Sequence, residues 1–305
     1  MNFIVIKANE INNLIKNKKD FIKTVEKDFL KKVTSICDIL IKDKNKKILL
    51  LAGPSGSGKT TTSHLIRQEL SKNGVSSAVI SLDNFYGGNH EIPKLEDGRP
   101  DFESVFSLDI KEIHRCLSEI INNGVTNMPV FDFLKHVRSK DILKIDVSDG
   151  GILIVEGLHA LNPVIIDTLD KESILKVYIS VNDSIYDENN NVLLSSRDIR
   201  FIRRLSRDAV YRNSTAVNTL HLWTAVIKGE EKYLYCFKET ADIKIATLHQ
   251  YEPCIFKSIT KELLKDLPKT AENYENTMKI YKAIDDFVGL DKSFVPNGSL
   301  LKEFI

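Results

Sequence analysis

Long apolar runs are missing from this chain of 305 residues, and so is any excess of charge of one sign. No apolar stretch reaches the roughly 18 residues of a membrane span, and the start MNFIVIKANE has no basic region leading into an apolar run. We therefore expect neither a membrane anchor nor export. The formal net charge is +1, so the overall charge predicts no binding to nucleic acid or to an anionic membrane.

Cysteine is also scarce. The four cysteines lie far apart and match neither a zinc spacing nor a disulfide framework, which predicts reduced side chains and a cytoplasmic location. The composition, 42% hydrophobic and 28% charged, is that of a globular protein with one large domain or two small ones.

Strand and helix patterns alternate after residue 47, which predicts an α/β fold with a parallel five-stranded sheet flanked by helices. Strands are predicted at 48–52, 77–82, 151–155, 174–180 and 241–247, and helices at 59–72, 109–122, 197–211 and within 255–290. Apolar residues at helical spacing over 11–41 predict an N-terminal helical extension, residues 1–46. We expect the main domain at 47–255 and a C-terminal helical segment at 256–305. The Asn-, Asp- and Ser-rich stretch 181–196 is predicted to be a long polar loop.

A glycine-rich loop connects the first predicted strand of this domain to its helix. The segment GPSGSGKT fits the G-x-x-x-x-G-K-[ST] pattern of a phosphate-binding loop. In such a loop, backbone N–H groups surround the phosphates, the lysine reaches the β and γ oxygens, and the hydroxyl ligates Mg²⁺. We therefore predict a nucleoside triphosphate site, with ATP favoured, formed by Gly53, Ser55, Gly56, Ser57, Gly58, Lys59, Thr60 and Thr61.

Two carboxylates stand at the ends of predicted strands, where open parallel sheets bind their ligands. Asp83 follows AVISL and Glu156 follows GILIV. In a phosphoryl transferase, one such carboxylate supports Mg²⁺ and another accepts the proton of an attacking hydroxyl. The long segment between them exceeds what a simple GTPase switch needs, which favours a pocket for an acceptor.

Arginine recurs at spacings of three and four in SSRDIRFIRRLSRDAVYR, so four guanidinium groups share one face of a predicted helix: Arg200, Arg203, Arg204 and Arg207. Such a helix can fold over phosphates as a lid, at about 196–214, and neutralise their charge. The alternative is a solvated basic face paired with Asp198 and Asp208.

Together these residues resemble the phosphoribulokinase and uridine kinase family of P-loop kinases, and in particular a longer bacterial branch of uridine kinase-like proteins. The resemblance covers roughly residues 47–255, and its ordered motifs are GPSGSGKTT, SLDNFY, DFESVFSLD, FDFLKHVR, LIVEGLHALNP and RDIRFIRRLSRDAVYR. It implies an ATP- and Mg²⁺-dependent kinase whose acceptor is a hydroxyl of a small molecule. Members of the family are often dimers or tetramers, which implies a homo-oligomer of undecided size.

The resemblance also implies roles for individual residues. Asp83 would be the general base and would lie in the metal shell, and Glu156 would support Mg²⁺ together with Thr60. Lys59, with Arg200 and Arg203, would stabilise the transferring group. Arg207 would bind nucleotide phosphates, and Arg200 would also reach the acceptor.

On the acceptor side, His136 would read the edge of a pyrimidine, Phe133 would pack on the base, and Tyr86 would lie beside the acceptor. Glu103 stands where uridine kinases carry an aspartate for the ribose hydroxyls, and Phe131 stands where they carry a tyrosine. These two departures leave three functions open: a nucleoside kinase, a kinase for another small metabolite such as a sugar phosphate, vitamin precursor or cyclitol, and a nucleotide-binding regulatory module.

Overall fold

A five-stranded, all-parallel sheet forms the centre of the molecule. The structure is a computed structural model that describes residues 5–87, 92–95, 98, 100–132, 135 and 137–305. The described strands are β1 (Ile6–Lys7), β2 (Ile48–Ala52), β3 (Ser77–Ser81), β4 (Val125–Asp132), β5 (Val137–Asp146), β6 (Ile152–Gly157), β7 (Ile174–Ser180), β8 (Ile185–Tyr186), β9 (Val192–Leu194) and β10 (Ile243–Ala246). The central sheet has the order β10-β7-β2-β6-β3, so the α/β class predicted from the sequence is confirmed.

The described helices lie on both faces of this sheet. They are α1 (Ala8–Leu14), α2 (Lys18–Lys42), α3 (Lys59–Lys72), α4 (Ile110–Asn123), α5 (Pro163–Ile166), α6 (Ser196–Tyr211), α7 (Ala216–Tyr233), α8 (Glu252–Leu264) and α9 (Tyr274–Ala283). One apolar core lies between the sheet and α2, α3 and α6 to α9, and a second core lies between the opposite face and α4. Strand β2 is buried along its whole length because both faces of the sheet are covered.

Local sequence signals account for several helix ends. Asp109 is the N-cap of α4 and accepts a hydrogen bond from the Glu112 N–H, and Gly124 ends that helix with a φ of 72°. Ser195 and Asp198 form a reciprocal capping box at the start of α6. The capping box fixes where the arginine-rich helix begins.

Three parts of the chain differ from the sequence prediction. Strands β4 and β5 form an antiparallel hairpin, and helix α7 follows the arginine-rich helix; neither was predicted. The stretch 181–196, predicted as a polar loop, contains β8 and β9, with β8 paired to β1. Region 255–290, predicted to be helical, contains most of α8 and all of α9.

The N-terminal residues pack into the same core as the sheet. Phe29, Val33, Ile36 and Leu40 of α2 are buried, and α2 lies against α3. No helix in the part of the chain that the structure describes is both long and apolar enough to span a bilayer. The domain boundaries expected at 46/47 and 255/256 stay predictions.

Candidate active site

The carboxyl ends of three neighbouring strands bring the predicted catalytic residues together. In the parallel register, Glu156 of β6 pairs with Leu51 of β2 on one side and with Ser81 of β3 on the other. The phosphate loop begins two residues after Leu51, and Asp83 lies two residues after Ser81. The loop and both carboxylates therefore share one edge of the sheet, which is where parallel sheets bind ligands.

The backbone of the phosphate loop has positive φ angles at two of its glycines. Gly56 and Gly58 adopt φ values of 75° and 87°, which favour glycine, and α3 begins immediately afterwards. The Lys59 ammonium group donates to the Pro54 carbonyl oxygen at 3.2 Å. Within the described ranges the Ser57 hydroxyl is buried without a hydrogen-bond partner, so a polar group remains unsatisfied inside the loop.

Glu156 is 4% exposed and lies beside the start of α3, where its carboxylate accepts a long hydrogen bond of 3.5 Å from the Thr60 hydroxyl. Burial and the nearby Asp83 carboxylate raise the pKa of Glu156 to about 7, while the Lys59 charge opposes the rise.

A divalent cation fits this set of donors, because its charge would favour the ionised form of a carboxyl that burial disfavours. No cluster of three His, Cys, Asp or Glu side chains suited to a metal occurs among the described residues. Mg²⁺ does not need one, since it commonly takes one or two carboxylates and completes its shell with phosphate oxygens and water.

The acceptor side begins at Asp83, which is exposed in the turn Leu82–Phe85. Tyr86 follows that turn; its hydroxyl donates to the Phe102 carbonyl oxygen at 2.9 Å, and its ring lies 5.8 Å from the ring of Phe131. The Phe131 backbone N–H is fixed in turn by the Asn84 side chain at 3.2 Å. Asp83, Tyr86 and Phe131 therefore lie in one region beside the phosphate loop.

Glu103 packs closely on α7. A Cβ on Gly229 would lie 2.3 Å from the Glu103 Cβ, so the glycine makes this approach feasible. Burial raises the pKa of the Glu103 carboxyl to about 7; the Arg204 charge opposes this, and the Glu230 and Asp83 charges add to it. The carboxyl is therefore protonated in an appreciable fraction of molecules near neutral pH.

His159 is a functional candidate to which the sequence reasoning gave no role. It is 2% exposed, both ring nitrogens lack a hydrogen-bond partner among the described atoms, and its ring meets Tyr233 edge-on at 6.0 Å. Burial, with the Lys59 charge adding, lowers the pKa of His159 to about 4, so the imidazole is neutral.

Arg200 and Arg203 of α6 are buried and directed at the loop. Arg200, 3% exposed, donates from Nη1 to the Ser55 carbonyl oxygen at 3.0 Å and to Glu230 at 2.8 Å. Arg203 donates to the Gly56 carbonyl oxygen at 3.0 Å and pairs with Glu252. The two side chains thus support the loop backbone, and their predicted role in binding phosphates stays a prediction.

The next arginines make different contacts. The Arg204 Nη1 donates to the Ser55 hydroxyl at 2.9 Å, and Arg207 donates to Asp208 at 3.0 and 3.1 Å. The sequence left open a solvated basic face paired with Asp198 and Asp208. The ion pair with Asp208 is present, but α6 packs inside the molecule and does not present a solvated face. Two predicted acceptor residues, Phe133 and His136, lie outside the described residues.

Carboxylates from distant parts of the chain also contact the loop. The Ser55 backbone N–H donates to Glu230 Oε1 at 2.8 Å, and the Thr61 backbone N–H donates to Glu303 Oε2 at 3.2 Å. No local motif surrounds Glu230 or Glu303, so the sequence pattern offered no signal for either one.

Residues 48–252 match the model of the Phosphoribulokinase / Uridine kinase family. This chain belongs to that family. It is therefore a P-loop kinase of small molecules that uses ATP, as the phosphate loop, the strand-end carboxylates and the sheet had indicated.

Similar proteins include uridine kinases of known sequence. The chain is 28% identical over 200 residues to a uridine kinase of Staphylococcus epidermidis, covering 65% of this chain and 86% of that one. It is 28% identical over 198 residues to a uridine kinase of Lactobacillus helveticus, covering 64% and 84%. A solved structure described as a possible uridine kinase from Bacillus stearothermophilus is 18% identical, with a TM-score of 0.46 and coverage of 70% and 96%.

Proposed function

We propose that this kinase transfers the γ-phosphoryl group of ATP to a hydroxyl of a uridine- or cytidine-like nucleoside, or of a related small polyol. The observation that carries the proposal is the position of Asp83. Its exposed carboxylate follows β3, lies near enough to Glu156 to raise the pKa of that group, and faces the same sheet edge as the phosphate loop. The uridine kinases to which the chain is 28% identical support the choice of acceptor class.

In the proposed reaction, Asp83 orients the acceptor hydroxyl and takes its proton. The hydroxyl oxygen forms a bond to the γ-phosphorus, the bond from that phosphorus to the β,γ-bridging oxygen breaks, and ADP leaves. Lys59, now bonded to the Pro54 carbonyl, would turn to the β and γ oxygens. Arg200 and Arg203 would hold the loop, and both would bind the nucleotide phosphates together with Arg207.

Thr60 and Glu156 are the residues proposed to hold Mg²⁺, directly or through water, with Asp83 at the edge of the same shell. When bound, this ion would neutralise charge on the phosphate oxygens and help align the β and γ groups. The cytoplasmic location and the homo-oligomer expected from the sequence stay predictions.

A kinase for another small metabolite is the second candidate, and the acceptor side supports it. Glu103 has a carboxyl with a pKa near 7 where uridine kinases carry an aspartate, and Phe131 lacks the hydroxyl of the tyrosine that they carry there. A pocket that lacks a hydrogen-bonding side chain binds a substrate less well when the substrate's buried polar group is left without a partner. The absence of the tyrosine hydroxyl therefore favours a different acceptor. A sugar phosphate, a vitamin precursor or a cyclitol would satisfy this candidate.

The test is ATP-to-ADP turnover with Mg²⁺ against a panel of nucleosides, sugars, polyols and vitamin precursors, with an Asp83→Asn variant alongside. Stimulation by uridine or cytidine alone, lost in the variant, would support the nucleoside proposal. Stimulation by another compound would favour the second candidate. If no acceptor stimulates turnover and the variant matches the wild type, a regulatory nucleotide-binding module replaces the kinase proposal.

A further inference from the structure

The last residues of the chain lie against the phosphate loop. We define the tail segment as residues 299–305, beyond the part that matches the family. Leu300, Leu301 and Phe304 are fully buried, and the Phe304 carbonyl oxygen accepts a hydrogen bond from the Ser206 hydroxyl at 2.6 Å. These contacts fix the tail segment to α6.

Leu300 brings the tail segment into contact with the loop itself. A Cβ on Gly58 would lie 2.5 to 2.9 Å from three carbon atoms of the Leu300 side chain. Gly58 directly precedes Lys59 and the first turn of α3. The segment therefore packs where the loop turns into the helix, which is the place where such loops bind phosphates.

Glu303 uses hydrogen-bond donors expected to bind nucleotide. Its Oε2 accepts from the Thr61 backbone N–H at 3.2 Å and from the Thr61 hydroxyl at 2.8 Å. In a phosphate-binding loop, donors at the start of the helix hold the α and β phosphates. A carboxylate oxygen and a phosphate oxygen cannot occupy the same position on one N–H group.

The negative charge of Glu303 also opposes the binding of a nucleotide phosphate at this position. It contributes to the raised pKa of Glu156, so it lies within electrostatic reach of the proposed metal site. Glu230, the other carboxylate on the loop, is paired with Arg200 at 2.8 Å. In the part of the chain that the structure describes, Glu303 forms no ion pair within 4.0 Å that would neutralise it in the same way.

We propose that the tail segment is an autoinhibitory element, in which the Glu303 carboxylate occupies a phosphate position and leaves it when ATP binds. The inference rests on the proposed function only in that the loop binds a triphosphate. A protein whose binding-competent state is a minor fraction shows an affinity reduced by that fraction. Removing the carboxylate should therefore strengthen ATP binding.

The experiment is isothermal titration of the full chain with ATP and Mg²⁺, without an acceptor, for the wild type, Glu303→Ala and Glu303→Gln. We expect the Kd for ATP to fall about 10-fold in Glu303→Ala, because the competing carboxylate is removed. This change corresponds to about 1.4 kcal/mol in the free energy of ATP binding. Glu303→Gln should also bind ATP more tightly than the wild type, since it loses the repulsive charge. Lys302→Ala, the neighbour on the same turn, is the matched control and should keep the wild-type Kd.

Hydrogen exchange gives a second readout that needs no variant. Saturating ATP should increase amide exchange in peptides that cover 299–305 while protecting the loop at 53–61. An equal or weaker ATP affinity in Glu303→Ala, or a tail segment that becomes more protected with ATP, would overturn the inference and leave the kinase proposal intact. Failure of all variants to bind ATP would overturn both.

Discussion

Arg203 and Glu252 form a two-bond ion pair beside the phosphate loop, and neither side chain is more than 1% exposed. The Arg203 Nε and Nη2 atoms lie 2.6 and 2.7 Å from the two Glu252 oxygens. The remaining terminal nitrogen donates to the Gly56 carbonyl oxygen at 3.0 Å. The pair therefore connects the first turn of α8 to the loop through one guanidinium group.

Replacing Arg203 with methionine should lower the free energy of unfolding by about 3–5 kcal/mol, because a buried Glu252 carboxylate is left without its partner. Urea unfolding monitored by circular dichroism measures the change. The exposed pair Arg197–Glu231 is the control, and Arg197→Ala should cost less than about 1 kcal/mol. An Arg203→Met protein as stable as the wild type, with weak ATP binding, would instead favour a direct contact with phosphate.

Glu156→Gln should lower kcat and shift the Mg²⁺ requirement upward, by about 10–100-fold, as expected when a residue that supports a metal is lost. A titration of turnover with Mg²⁺ at fixed ATP measures both effects. Glu172→Gln, which changes an exposed carboxylate away from the loop, serves as the comparison. An unchanged Mg²⁺ dependence in Glu156→Gln would remove this residue from the proposed metal site.

The variant Phe131→Tyr tests the acceptor pocket. If the wild type uses pyrimidine nucleosides, the added hydroxyl should raise kcat/KM for uridine by about 5-fold, since one hydrogen bond is worth about 1 kcal/mol. Steady-state kinetics with uridine and with a non-nucleoside polyol measure the selectivity. Phe102→Tyr, at a ring that is 51% exposed, is the matched control. An equal gain for both acceptors would argue against a contact with the base.

Stability should fall as the pH drops below 6.5, in part because His159 is buried and neutral. The pKa of His159 is lowered from 6.5 to about 4 on folding, so its contribution is present above pH 6.5 and lost as the pH falls towards 4. The unfolding free energy of the wild type should lose about 2 kcal/mol from this group between pH 7 and pH 5. His159→Leu should lack that part of the loss.

Urea midpoints at the two pH values measure the effect of His159. His221→Leu, which changes an exposed histidine, serves as the comparison. A His159→Leu protein with the same pH dependence as the wild type would show that the imidazole keeps an ordinary pKa in the folded state.

The sequence could predict those parts of the site that depend on neighbouring residues. The phosphate loop needs glycine at Gly56 and Gly58 because of their positive φ angles, and Asp83 and Glu156 simply follow apolar strands. Short patterns reveal such features because the geometry is set within a few residues. The parallel sheet followed from the alternation of strands and helices for the same reason.

The partners of the arginines could not be predicted in this way. Glu230 lies 30 residues after Arg200, and Glu252 lies 49 residues after Arg203, so no helical spacing relates them. The sequence pattern did not predict the β4–β5 hairpin, because β5 is largely exposed and lacks a regular alternation of buried and exposed residues. Tertiary packing decided both features, and a single sequence carries little information about it.

The sharing of one core by α2 and the tail segment has a consequence for the order in which the protein is made. Phe29 and Val33 leave the ribosome long before Leu300 and Phe304, which are buried in the same cluster. The apolar face of α2 therefore lacks part of its packing until the tail segment has been synthesised. A nascent chain of this kinase therefore exposes part of an apolar helix face until the tail segment packs against it.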